Sequence, residues 1–145
     1  MNEPVIVPDA SVLLKWSLDA TGEKDREKAL AIRRLWLAGR HRIILPSLWA
    51  YEVGNVLGMK QADLARRLLE IYVGYQFEEE RAADLFEMTL DIMNAIDVTF
   101  YDAAYHAVAL KHRGTYVSAD HKYVRKALSI GHVMALRDWV EGGFP

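Results

Sequence analysis

Apolar residues along the chain follow two periodicities. Short apolar runs at Val5 to Val7, Ile43 to Leu45, Ile96 to Val98, Tyr116 to Val117 and His132 to Leu136 have the length of buried strands. Between them, apolar positions three and four apart predict helices at Val12 to Ser17, Glu23 to Ala38, Leu48 to Met59, Ala62 to Tyr75, Glu79 to Asn94, Tyr101 to Lys111 and His121 to Ile130. The helix from Glu23 carries Ala29, Ile32, Trp36 and Leu37 at helical spacing, and Gly39 offers a stop before Arg40, His41 and Arg42. Strands that alternate with helices need crossover connections, so a parallel sheet covered on both faces is expected. The fold class is α/β: a three-layer α/β/α domain with four or five central strands.

Composition narrows this picture without naming a substrate. A chain of 145 residues buries roughly 68 to 70% of its unfolded surface, enough for a core without staples. No repeat or Pro/Ser-rich linker interrupts it and Gly142 to Pro145 reads as a short tail, so one domain over residues 1–145 is expected. The absence of cysteine excludes disulfides and thiolate metal sites. Met1, Asn2, Glu3 and Pro4 lack the basic start of a secretory signal, and no long uncharged apolar run occurs. A soluble, cytoplasmic protein with no membrane association is therefore expected. With 18 Lys and Arg against 20 Asp and Glu, the net charge of −2 lacks the global basic bias of many nucleic-acid binders.

The placement of single charges is more informative than their sum. From Pro4 to Leu14 the only ionised side chain is Asp9, at the carboxyl end of the first expected strand, where open parallel sheets place their binding crevice. Between Ile43 and Met59 Glu52 alone is charged, with Asn55 three residues on and so on the same helical face. From Val98 to Leu110 Asp102 stands alone when His106 is neutral, and Asp120 follows the strand Tyr116 to Val117. Each aspartate also has an ordinary role open to it. Asp9 with Ser11 can form a strand-to-helix turn, Thr99 with Asp102 a capping box, and Asp120 a helix cap. Glu52 has no such role, because it lies in a helix among Leu48, Trp49, Val53, Val56 and Leu57, where an unpaired carboxylate is costly.

If the strands end at one edge of the sheet, these acids converge. Two carboxylates ~4 Å apart repel by about 4 kcal/mol at an effective dielectric near 20, so a cluster must protonate, separate or take up a cation. All-oxygen donors without cysteine or paired histidines suit Mg²⁺ or Mn²⁺ better than zinc, and the spacing is not that of an EF-hand loop.

Four segments together resemble the PIN-domain nuclease signature, in the form found in VapC-type toxins of toxin–antitoxin (VapBC) pairs. They are Val7-Pro8-Asp9-Ala10-Ser11-Val12-Leu13-Leu14-Lys15-Trp16, Ser47-Leu48-Trp49-Ala50-Tyr51-Glu52-Val53-Gly54-Asn55, Tyr101-Asp102-Ala103-Ala104-Tyr105-His106-Ala107-Val108-Ala109 and Val117-Ser118-Ala119-Asp120. The resemblance implies a Mg²⁺- or Mn²⁺-dependent endoribonuclease site made by Asp9, Glu52, Asp102 and Asp120, assisted by Ser118. By the same likeness Asp9 is the principal direct metal ligand and Asp102 a metal or water-positioning partner, with Glu52 and Asp120 acting through waters. It also implies an RNA substrate, a cognate VapB-like antitoxin and a homodimer. Two positions depart from the pattern. Pro8 stands where an ordinary apolar residue is usual, suggesting that the strand ends at Val7. His106 replaces an apolar residue one turn after Asp102 and reads as a locally hydrogen-bonded surface or core histidine.

Among the basic groups, Lys122, Arg125 and Lys126 are the best candidates for phosphate contact, because they follow Asp120, with Lys15 a weaker one. Trp16, Trp49, Tyr51 and Tyr105 flank the acidic segments, where base stacking or core packing are both open. The stripe Leu64, Leu68, Ile71, Tyr72 and Tyr75 suits either the core or a subunit contact. Alternatives to a toxin nuclease are a PIN nuclease of RNA processing, a PIN-like RNA- or protein-binding module without catalysis, and a phosphatase with Asp9 as nucleophile. The last lacks the second aspartate two residues on, having Ser11 instead.

Overall fold

The computed structural model describes residues 3–18 and 25–142. The expected start of a helix at Glu23, the sequence Met1 and Asn2, and the end of the tail at 143–145 lie outside the described residues. Five strands, β1 (Val5–Pro8), β2 (Arg42–Pro46), β3 (Glu78–Glu80), β4 (Thr115–Ser118) and β5 (Val133–Ala135), form one sheet in the order β3-β2-β1-β4-β5. Every pairing is parallel. The helices are α1 (Ala10–Leu13), α2 (Arg26–Leu37), α3 (Trp49–Lys60), α4 (Ala65–Gly74), α5 (Ala82–Ile96), α6 (Phe100–Lys111) and α7 (His121–Ala127), with 3₁₀ turns at Leu14–Trp16 and Leu136–Asp138. This is the expected three-layer α/β/α architecture. None of the described helices is long and apolar enough to cross a membrane.

The core follows from the strand sequences. β1 is buried at every position and β2 and β4 at all but their first residue, as sheets covered on both faces require. Helix α6 packs across β1, β2 and β4, and α5 packs on α6. Elsewhere Trp16 is the centre of an aromatic cluster with Trp36, Tyr72, Tyr75 and Phe77, its indole N–H donating to the Ala29 carbonyl (2.9 Å). In α2, Leu35 rather than Leu37 turns inward. The α4 stripe divides: Tyr72 is buried, whereas Leu64 and Ile71 are half exposed.

Three expectations are corrected. Ile96 to Val98 is not a strand, because Asp97 adopts φ 53° and ends α5 in the left-handed conformation, turning the chain into α6. The segment from Glu79 begins as strand, not helix, although three glutamates are poor strand formers. Tertiary partners override that preference: Arg42 grips Glu78 through two hydrogen bonds (3.1 and 2.5 Å), Trp49 donates to Glu79 (2.5 Å), and Lys111 and His112 hold Glu80 (2.9 and 2.7 Å). Finally, β1 continues through Pro8, in register with Val117. The neighbouring Asp9 N–H points to β4, donating to the Val117 carbonyl (3.2 Å), so alternation directs the missing donor of Pro8 toward β2, where the ladder has already ended at Ile6 and Ile43.

Candidate active site

Because all strands run the same way, their carboxyl ends share one edge. Asp9 leaves β1 there, Ser118 and Asp120 leave β4, and α3, following β2, carries Glu52 in its first turn. Helix α6 runs back to feed β4, so its first turn, holding Asp102, starts from the same edge. β1 is the strand from which the order departs in both directions, and the Asp9 N–H to Val117 bond spans the gap between β1 and β4. That is the topological switch point at which open α/β sheets bind ligands.

Asp9 is 6% exposed and ends β1 as the N-cap of α1. Its Oδ1 accepts from the Ser11 hydroxyl and from the Val12 N–H (3.3 Å), and its Oδ2 accepts from the hydroxyls of Tyr116 (2.8 Å) and Ser118 (2.5 Å). These four neutral donors match the roughly four acceptor directions of a carboxylate. They do not match its charge: burial raises the Asp9 pKa above its usual value although all four donors pull it down. The two serines also fasten the loop after β4. Ser11 Oγ accepts from Ala119 N–H (3.1 Å) and Ser118 Oγ from Asp120 N–H (3.0 Å).

Glu52 is half-buried, and its Oε1 accepts from the Tyr105 hydroxyl (2.6 Å). Burial raises its pKa, and the charges of Asp9 and Asp102 push the same way against the pull of Tyr105. Asp102 is raised first by burial and then by Asp9 and Asp120. Thr99 caps α6 by accepting the Asp102 N–H (3.2 Å), but among the described residues the reciprocal bond from the Asp102 carboxylate is not formed. The capping box is thus half made; the Asp102 carboxylate instead bonds the Thr99 side chain, which pulls its pKa down against the other causes, and it lines the cleft. Asp120 is exposed and does cap α7, its Oδ1 accepting from the N–H groups of Lys122 (3.0 Å) and Tyr123 (3.3 Å). Asp102 and Asp120 line a cleft of about 350 Å³ with Asp97, Val98, Thr99, Lys122, Tyr123 and Lys126. A larger cavity of about 420 Å³ lies at the opposite edge of the sheet, around Val5, Gly114 and Val133, away from every acid named here.

The four acids are therefore gathered at one edge and repel one another, and no basic side chain figures among the causes acting on Asp9, Glu52 or Asp102. Among the described residues no three carboxylates or imidazoles stand as a ready-made metal cage. The donor set, oxygen throughout, nonetheless fits a hard divalent cation.

Several side chains settle on one side of the alternatives. Trp16, Trp49 and Tyr105 are buried, whereas Tyr51 is 82% exposed. His106 is fully buried, with Nε2 on the Gly131 carbonyl (2.7 Å) and Nδ1 on the Tyr123 hydroxyl (2.8 Å). A carbonyl only accepts, so Nε2 carries the proton and Tyr123 donates to Nδ1. Tyr105, open in the sequence to base stacking or core packing, and Tyr116, read there only as a strand residue, join the site through their hydroxyls. The available signal was their hydroxyl, since a buried tyrosine needs a polar partner that phenylalanine does not.

A PIN domain family profile matches residues 6–128, taking in all four acids. The chain belongs to the PIN domain family. Among solved structures this PIN domain is similar to a toxin–antitoxin complex from Klebsiella pneumoniae, with 17% identity, a TM-score of 0.64, and coverage of 90% of this chain and 97% of that chain. It is also similar to VapC20 of Mycobacterium tuberculosis, a sarcin-ricin loop cleaving toxin, with 20% identity, a TM-score of 0.58, and coverage of 79% of this chain and 87% of that chain. At these identities the likeness is one of fold. No curated protein matches the sequence.

Proposed function

We propose that the chain acts as a single PIN unit, a divalent-metal-dependent endoribonuclease and the toxin of a VapBC-type pair. The observation that carries the reading is the gathering of Asp9, Glu52, Asp102 and Asp120 at the switch-point edge, with no basic side chain acting on Asp9, Glu52 or Asp102. Asp9 and Asp102 would hold Mg²⁺ or Mn²⁺ directly, with Glu52 and Asp120 reaching it through water. The bound ion would lower the pKa of water and offset charge building on the phosphoryl oxygens.

The chain's own residues supply position and electrostatics. Ser11 and Ser118 orient the Asp9 carboxylate and tie the loop bearing Asp120 to it. Tyr105 fixes one oxygen of Glu52, leaving the other for a proton or a water. Burial of Asp9 strengthens its interaction with any cation, because water screens it little. A phosphatase using Asp9 as nucleophile is disfavoured, because Ser11 stands where that chemistry has a second aspartate two residues on. The toxin role adds an antitoxin that covers the acidic edge, in keeping with the structural likeness to a toxin–antitoxin complex, and, from the sequence resemblance alone, a homodimeric assembly.

Asp9→Asn tests the reading. RNA cleavage in Mg²⁺ should disappear while circular dichroism and the cooperative melt persist. Wild-type products should end in a 5′-phosphate, as water rather than the ribose 2′-hydroxyl attacks. Full cleavage by the variant, or 2′,3′-cyclic phosphate ends, would contradict it.

A further inference from the structure

Many of the basic groups are already engaged. Arg34 pairs with Glu141, Arg42 with Glu78 and Lys111 with Glu80, and Arg33 lies over the Trp16 ring. Lys122 and Lys126 stand differently. Both are exposed, they lie one turn apart on α7, and they line the same cleft as Asp102 and Asp120. Among the described residues neither forms an ion pair with a carboxylate. The near oxygen of Asp120 is instead taken by backbone N–H groups, and Lys126 Nζ donates to the Asp97 carbonyl (3.1 Å). That carbonyl belongs to the left-handed residue closing α5, so the bond braces the ammonium group against another wall of the cleft. Arg125 is equally exposed but does not line the cleft.

A nucleic acid approaching four carboxylates is repelled along its length. An ion bound at the acids relieves this for the phosphate it touches and, because of screening over about 10 Å at 0.1 M salt, only weakly for phosphates further along the strand. Those need cations of their own. We propose that Lys122 and Lys126 form the phosphate-binding wall of the cleft, gripping the RNA backbone beside the bond that is cut. The inference rests on the ribonuclease reading for the identity of the strand. The ligand class is single-stranded phosphodiester, held through its backbone and not read by base. Each ammonium has three donors, so Lys126 keeps its Asp97 bond and still has protons for phosphate oxygens.

The test is fluorescence anisotropy of a labelled single-stranded oligoribonucleotide over a KCl series in Ca²⁺, with the RNA checked intact on a gel. Lys122→Gln and Lys126→Gln should each reduce the slope of log affinity against log salt by about 0.7, and the double variant by about 1.4, as for lost phosphate contacts. Arginine at both positions should restore the slope. Arg125→Gln removes the same charge from the same helix and should leave it unchanged. An unaltered slope in the double variant, an equal effect of Arg125→Gln, or no RNA binding by the wild-type protein overturns the proposal. Binding is read without turnover, so the two readings fail separately. A protein that binds RNA through these lysines and never cuts it sinks the ribonuclease, whereas one that cuts with lysine-independent binding sinks only the wall.

Discussion

Tyr116→Phe isolates the tension built into Asp9. The substitution deletes one oxygen, keeps the ring stacked on Tyr105, and removes one of two donors to Oδ2 of a buried carboxylate. A hydrogen bond to a charged group contributes about 1.5–3 kcal/mol, and full burial of both partners places this one in that range. At roughly 2–4 °C per kcal/mol for a chain near this size, the metal-free variant should melt about 3–12 °C below wild type at neutral pH. Two features distinguish this from generic core damage. The penalty should shrink at pH values low enough to protonate Asp9, which then needs fewer donors. It should also shrink in saturating Mn²⁺, because the vacated acceptor direction becomes available to the ion. By linkage, whatever part of the penalty the ion relieves appears as tighter binding, about tenfold per 1.4 kcal/mol. Differential scanning calorimetry in chelator and in Mn²⁺, with titration calorimetry for affinity, reads both. An equal melting deficit under all conditions with unchanged Mn²⁺ affinity would refute the competition between Tyr116 and the ion.

Two further outcomes follow from the burial of the acids and the close packing of β1. Asp9, Glu52 and Asp102 all have folded-state values raised above their ordinary 3.8, 4.5 and 3.8. Their stabilising contribution is therefore complete below those ordinary values and is lost as pH rises through the raised ones. Urea titrations in chelator should show this fall toward neutrality, reduced in Asp9→Asn and reversed by Mg²⁺; the same fall in both proteins would argue against it. Gly114 provides a test remote from the acids, since a Cβ there would lie 2.5 Å from the Val5 carbonyl oxygen and 2.8 Å from its Cβ. Gly114→Ala should cost about 1–3 kcal/mol in urea denaturation without altering Mn²⁺ affinity, and a neutral result would mean that β1 and β4 yield easily.

Asp9, Glu52 and Asp102 were legible because each is a lone charge in an apolar segment, a pattern that costs free energy unless something is gained, and Asp120 because it follows a strand. The alternation of strands and helices was legible for the same reason that the core exists: periodicity reports which face is buried. What sequence did not reveal depended on distant partners. Glu78 to Glu80 become a strand only because Arg42, Trp49, Lys111 and His112 arrive from elsewhere in the chain. Tyr105 and Tyr116 look like ordinary core aromatics until Glu52 and Asp9 meet their hydroxyls. The apolar run at Ile96 to Val98 misled because hydrophobicity does not encode the reversal at Asp97. The split of the α7 cations, with Lys122 and Lys126 turned to the cleft and Arg125 away, was hidden by their adjacency in sequence.

The glutamate strand also bears on how the molecules behave in a crowd. It occupies an outer rim of the sheet, where unpaired amide and carbonyl groups offer a template to any extended chain. Two copies meeting rim to rim would have to bury Glu78 and Glu80 together with the cations that hold them, and the cost of desolvating those charges resists the pairing. Arg42 keeps Glu78 ionised to unusually acid conditions, and Lys111 with His112 does the same for Glu80 against the cost of its partial burial. The guard against fibrous stacking thus persists further into acid than free glutamates would allow, maintained by the same contacts that make the strand.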